Sequence, residues 1–158
     1  MMLSLEVVKP GMLTTVQDLG RFGRQMQGVP VAGAMDSAAL CMGNILLGND
    51  ENAAGLEITM LGPTLKVLSG EVCFAVTGAA VGVSKNDVSI QCWAVYRLTP
   101  GDVLSFSPPS RDGGARAYFC VSGGLIRHCS PYRTQETQTF HSIGGSAYYW
   151  TAKFMFFC

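Results

Sequence analysis

Apolar residues recur at every second position along most of this chain, the period of a half-buried strand. Leu3, Leu5 and Val7 alternate with Ser4 and Glu6 and run into a Pro10-Gly11 turn. In GLEITML, Leu56, Ile58 and Met60 alternate with Glu57 and Thr59, and Gly62-Pro63 ends the strand. TLKVLS puts Leu65 and Val67 on one face; EVCFAVT follows Gly70, and VGVS leads to the polar turn Lys85-Asn86-Asp87. A run through CWAVYRL, the turn Pro100-Gly101-Asp102, the strand VLSFS and a loop from Pro108 to Gly114 come next. A strong strand, ARAYFCVS, completes the series. Many short strands at regular spacing predict a mainly β chain, closed or nearly closed into a barrel.

One segment has the helical period. Asp36 to Leu47 reads as the single helix, with Asp36 as its N-cap and Gly48-Asn49 as its left-handed stop. Leu40, Gly43/Asn44 and Leu47 share a face, and the small residues Ala38, Ala39 and Gly43 imply close packing on a sheet. Two stretches fit neither period. Between Pro10 and Asp36, five glycines (Gly11, Gly20, Gly23, Gly28, Gly33) and two prolines (Pro10, Pro30) punctuate polar residues. That spacing predicts a shaped loop system, the usual seat of binding and catalysis. After Gly124 the chain turns polar and aperiodic, then ends on aromatic residues from Tyr148 to Phe157. It reads as foreign to what precedes it.

Composition narrows the class. A chain of 158 residues suits one domain with a real core, and 48% hydrophobic against 14% charged residues argues against disorder. Zero formal net charge leaves no electrostatic footprint for nucleic acid or an anionic membrane, and no apolar run approaches a membrane span. The six cysteines (41, 73, 92, 120, 129, 158) are widely and irregularly spaced, and MMLSLEVVKPG has no secretory character. Scattered buried thiols in a reducing cytosol are expected, hence a cytoplasmic location. His128, Cys129 and His141 match no zinc spacing, so no metal ligands are assigned.

Each residue that could carry chemistry has a plainer reading. Asp36 could face a substrate, but the helix cap is favoured, and the two are compatible because a helix N-terminus attracts anions. Glu57 lies opposite the apolar face of its strand, which from sequence alone makes it a solvated surface carboxylate. Arg21 could clamp a carboxylate or phosphate bidentately, or pair with Asp18 across a turn. Asn44 is a poor helix former placed mid-helix, which hints at a side chain used for hydrogen bonding. Thr77-Gly78-Ala79-Ala80 ends an apolar strand, where backbone amides bind an anion or make a tight turn. No nucleophile–base–acid set and no phosphate-binding P-loop motif occurs.

The string PGMLTTVQDLGRFGRQMQGVPVAGAMD, followed in order by GNILLGND, GLEITMLGPTL, TGA, PGD and RAYFCVSGGL, resembles the biotin-dependent carboxyltransferase family. That family includes the C component of bacterial 5-oxoprolinase, the second component of allophanate hydrolase and the carboxyltransferase part of urea amidolyase. The resemblance covers roughly residues 5 to 125. It implies a cyclophilin-like β-barrel and two partner proteins, one like the B component of 5-oxoprolinase and one like its A component. It also implies ATP-dependent opening of 5-oxoproline to glutamate, with ATP bound here or at a partner. The other readings it leaves are urea carboxyl transfer and a non-catalytic regulatory partner of the B-like protein, antagonising a kinase inhibitor. No biotin attachment site occurs in this chain.

The resemblance raises Asp36, Glu57 and Arg21 as catalytic candidates. Gln17, Asn44, Thr77 and Gly78 are the candidates for binding a small amide or lactam. It also marks a departure: the G-S-R-S-T-type motif and second half expected after SGGL are not found. Residues 1–125 thus read as the N-terminal part of a carboxyltransferase-like domain and 126–158 as a divergent tail, from a frameshift or truncation. Such a chain is expected to lack part of its active site and, alone, to be inactive.

Overall fold

The computed structural model describes residues 3–20, 23, 25–28, 30–125, 140–141 and 151–154. The chain opens with β1 (Leu3–Lys9) and β2 (Leu13–Gln17), then the helix α1 (Ser37–Leu46). Next come β3 (Gly55–Thr59), β4 (Thr64–Ser69), β5 (Val72–Gly78), β6 (Val81–Lys85) and β7 (Val88–Ile90). After them are β8 (Val95–Leu98), β9 (Val103–Pro109), β10 (Arg116–Val121), β11 (Phe140–His141) and β12 (Thr151–Phe154). They form two six-stranded sheets, ordered β12-β1-β4-β9-β6-β7 and β11-β2-β3-β10-β5-β8, with every pairing antiparallel. The mainly β expectation with one helix holds.

The two sheets share one core. Leu3, Leu5, Val67, Leu104 and Phe106 from the first sheet meet Leu56, Ile58, Phe74 and Phe119 from the second. The Phe119 ring lies 5.6 Å from Phe74 in its own sheet and 6.3 Å, edge-on, from Phe106 across the core. Aromatic edges and faces packed in this way fix the spacing of the layers. Asn86 and Asp87, both with positive φ, form the two-residue turn between β6 and β7, as the polar Lys85-Asn86-Asp87 triplet predicts.

Two differences from the sequence reading have physical causes. LTTVQ, inside the segment read as loops, is the strand β2; Thr14, Thr15 and Val16 are all buried, so no polar alternation betrays it. The run through CWAVYRL breaks, because Trp93 takes a positive φ and only Val95–Leu98 is strand. The strand VLSFS continues to Pro109. Of the cysteines Cys41, Cys73, Cys92 and Cys120, all free, only Cys120 is buried, and Cys73 is exposed. No helix among the described residues is long and apolar enough to cross a membrane.

Candidate functional site

The second sheet packs one face on the main core, and α1 with the loop before it covers the middle of the other face, where the site lies. Strand register aligns Thr15, Glu57, Tyr118 and Thr77 in one row across β2, β3, β10 and β5. α1 packs over this row, with Ala39 and Leu40 against Tyr118 and Cys120. Gly43 permits the approach: a Cβ there would stand 2.7 Å from the Cys120 sulfur and 2.9 Å from the Thr77 hydroxyl. The apolar surroundings push the Cys120 thiol up to about 12.

Glu57 is the centre of the polar row, and only 5% of it is exposed. This corrects the solvated surface carboxylate expected from alternation. It does face away from the main core, but that face is roofed by α1 and the loop before it. Burying a carboxylate demands partners. Arg116 Nη1 donates to Glu57 Oε1 at 2.9 Å and also bonds the Thr59 hydroxyl. Glu57 Oε2 accepts from Tyr118 Oη at 2.8 Å and from the Met35 amide at 2.8 Å. The same Tyr118 oxygen accepts from the Asp36 amide at 2.7 Å. Burial pushes the Tyr118 phenol well above its ordinary value; the Asp36 amide opposes this, and the hydrogen bond to Glu57 reinforces it. Tyr118 therefore remains a protonated donor.

The glycine-rich segment reaches this row by crossing itself at backbone contact. The Ala34 amide donates to Asp18 O at 2.8 Å, and Asp18 Oδ1 accepts from the Gly20 amide at 2.7 Å. Gly20 and Gly33 have φ of +90° and +99°, and a Cβ on either would fall within 3 Å of the opposing backbone. Only glycine satisfies both demands. Asp36 then caps α1, its Oδ1 accepting from the Ala39 amide at 3.0 Å, with its side chain at the surface.

The remaining predicted residues are distributed unevenly. Thr77 is fully buried and donates to Ala39 O at 2.7 Å, so its hydroxyl is spent seating the helix. Asn44 is also fully buried; its amide nitrogen bonds Ala53 O at 2.7 Å and Glu51 O at 3.4 Å, while its oxygen accepts from Asn49. The hydrogen-bonding role expected of Asn44 is thus internal, and both residues are closed to a ligand. Gly78 (φ +90°) sits where a Cβ would be 2.6 Å from Arg116 O. The amides after it are used within the fold: Ala79 on Arg116 O, Ala80 on Gly113 O and Val81 on Ala79 O. That is the tight turn, not the anion cradle. Gln17 is half-buried and donates to the Thr15 hydroxyl at 3.1 Å. Arg21 lies outside the described residues.

Sequence reasoning missed Arg116 and Tyr118. The sequence signal was the nearly unbroken apolar run RAYFCV, which marks a strand with two covered faces and makes an embedded Tyr conspicuous; the structure buries five of its six residues. Arg116 keeps 27% of its side chain exposed, and among the described residues only its Nη1 is hydrogen-bonded. Its other N–H groups are oriented by a fixed fork and available to an anionic or carbonyl oxygen. Glu57, holding donors on both oxygens, is a hydrogen-bonding hub more than a free base. No group of three or more His, Cys, Asp or Glu among the described residues could hold a metal ion.

Known proteins share this sequence and this fold. A family model described as carboxyltransferase domain, subdomain A and B, matches residues 27–147, running past the change of character at Gly124. The chain is 39% identical to the C component of 5-oxoprolinase from Escherichia coli K12 over 123 residues, covering 77% of this chain and 38% of that protein. It is 35% identical to urea amidolyase of Lachancea kluyveri, covering 77% of this chain and 7% of that one. The crystal structure of urea carboxylase from Kluyveromyces lactis superposes with a TM-score of 0.72 at 37% identity, over 77% of this chain and 11% of that chain. The chain therefore spans well under half the length of the 5-oxoprolinase components it matches, 38% and 35% of them. With a domain match over most of its length and relatives at this identity, the protein belongs to the carboxyltransferase domain family, subdomains A and B.

Proposed function

We propose that this chain is the C-like component of an ATP-dependent 5-oxoprolinase, in which an A-like and a B-like protein complete the enzyme. One observation carries the reading. The chain is 39% identical over 123 residues to the C component of a 5-oxoprolinase, and 38% identical over 112 residues to a second one. The substrate is a cyclic amide, and the product of its hydrolysis is glutamate. Opening a lactam places negative charge on the carbonyl oxygen, which oriented donors stabilise. Arg116, partly exposed and tied through Glu57 to the Met35 amide, is the donor suited to that oxygen, and Asp36, next in the chain, is exposed. Gln17 in β2 and Arg21, further along the sequence, are candidate substrate contacts. ATP activates the carbonyl, bound here or at a partner protein; the amides after Gly78 are committed inside this fold and offer it no anion cradle.

The test is glutamate formation from 5-oxoproline by the purified three-protein assembly. Glutamate is expected only when this chain, both partners and ATP are present. If the two partners alone turn over as fast, this chain is not a catalytic component, and binding to the B-like protein without added turnover would favour the regulatory reading. Carboxylation of urea by the assembly would favour the other.

A further inference from the structure

The contacts around Glu57 converge on two consecutive backbone amides. Met35 and Asp36 lie in the stretch between the glycine-rich loop and α1, where no sheet ladder is available to their N–H groups. The Met35 amide is held at 2.8 Å by Glu57, 22 positions away, and the Asp36 amide at 2.7 Å by Tyr118, 82 positions away. Glu57 in turn is held by Arg116 at 2.9 Å and Tyr118 at 2.8 Å. Side-chain packing does not do this job, because Met35 is 73% exposed and Asp36 is at the surface. A buried ion pair is a poor source of stability compared with apolar packing, so its retention under a surface loop calls for a positional reason.

We infer that Tyr118 is a positioning residue: with Glu57, itself held by Arg116 Nη1, it latches the Met35–Asp36 backbone to the sheet. Together they fix the start of α1 and the end of the glycine-rich loop against the exposed edge of Arg116. The latch stands on geometry alone; its use in lactam opening rests on the function proposed above. Tyr118 is suited to the task because its hydroxyl donates to Glu57 and accepts from Asp36 at once, and burial keeps it protonated. Arg116 is suited because its Nη1 alone donates to both Glu57 and Thr59, and its side chain stays 27% exposed. A reacting group displaced by about an ångström loses on the order of a hundredfold in rate, which gives the ion pair its positional use.

Tyr118→Phe and Glu57→Gln test this in the full chain with two readouts. Amide hydrogen exchange in Tyr118→Phe is expected to quicken about tenfold or more at Asp36, and at Met35 to a lesser degree, while Ile58 and Phe119 in the sheet are unchanged. In the assembly, kcat of Tyr118→Phe for glutamate formation is expected to fall about tenfold or more with KM for 5-oxoproline within about twofold. Unchanged exchange at both amides overturns the latch, as does uniform acceleration across β3, β10 and α1, which would mark a purely stabilising role. Faster local exchange with unchanged kcat overturns the positioning claim. Should Tyr118→Phe fail to fold, Glu57→Gln carries the same pair of measurements, read first at the Met35 amide. An inactive wild-type assembly would instead refute the proposed reaction and leave the exchange result to decide the latch.

Discussion

At the scale of single residues, Glu57 sets how much its network contributes. Glu57→Gln keeps the shape, removes the charge and turns one end of the group into a donor facing donors. Breaking a fully buried ion pair costs about 3–5 kcal/mol, but the 27% exposure of Arg116 lets water recover part of that loss. The expected destabilisation is therefore about 1–3 kcal/mol, read from urea unfolding midpoints. A change under about 0.5 kcal/mol would mean that the buried carboxylate is no better partnered in the fold than in water. Thiol reactivity gives a second residue-level test. Burial holds Cys120 at about 12, whereas Cys73 is exposed. Brief maleimide labelling at mildly alkaline pH, followed by peptide mass spectrometry, is expected to modify Cys73 and to leave Cys120 untouched until the chain is unfolded.

At the scale of elements, α1 shows local propensity and tertiary fit in conflict. Ala at position 43 would favour the isolated helix by about 1 kcal/mol over Gly. Its Cβ would meet the Cys120 sulfur at 2.7 Å and the Thr77 oxygen at 2.9 Å, both fixed by burial. Overpacking of this kind costs about 1–3 kcal/mol, so Gly43→Ala is expected to lower the unfolding temperature, and Cys120→Ala in the same chain to offset part of the loss. An unchanged or raised unfolding temperature would show that the sheet can yield there. The same helix shows what was legible in the sequence. Its cap, stop and buried face follow from Asp36, Gly48 and the Leu40–Gly43 spacing, because capping and amphipathicity are local chemistry. Strands with one covered face were equally plain. β2 was hidden because both of its faces are buried, and Glu57 was misread because alternation shows which face a side chain takes but not what covers that face. The break at Trp93 had no signal at all, since nothing in a Trp calls for a positive φ.

At the scale of the molecule, Asp102 ties the two sheets together at the end of the β8–β9 turn. It is 7% exposed and accepts from Lys85 Nζ at 2.9 Å, the Asn86 side-chain amide at 2.6 Å and the Thr99 backbone amide at 2.7 Å. Lys85, in the first sheet, also donates to Arg97 O in β8 of the second at 2.7 Å. Burial works against the ionised carboxyl, but Lys85, Asn86 and the amide and hydroxyl of Thr99 outweigh it and lower Asp102 from the usual 3.8 to about 2. A carboxyl depressed in the folded chain stabilises it above the unfolded value, and that stabilisation is lost as pH falls through the folded one. Asp102 is therefore expected to contribute about 2 kcal/mol near neutrality, disappearing between about pH 4 and pH 2. Unfolding free energies from urea titrations across that window should fall by this amount. Asp102→Asn should lower the neutral plateau and flatten the acid limb, because the charge that holds Lys85 is then absent at every pH. A wild-type acid limb as flat as that of Asp102→Asn would mean that the Lys85–Asp102 contact does not bind the sheets together, and that the shared aromatic core around Phe119 does so alone.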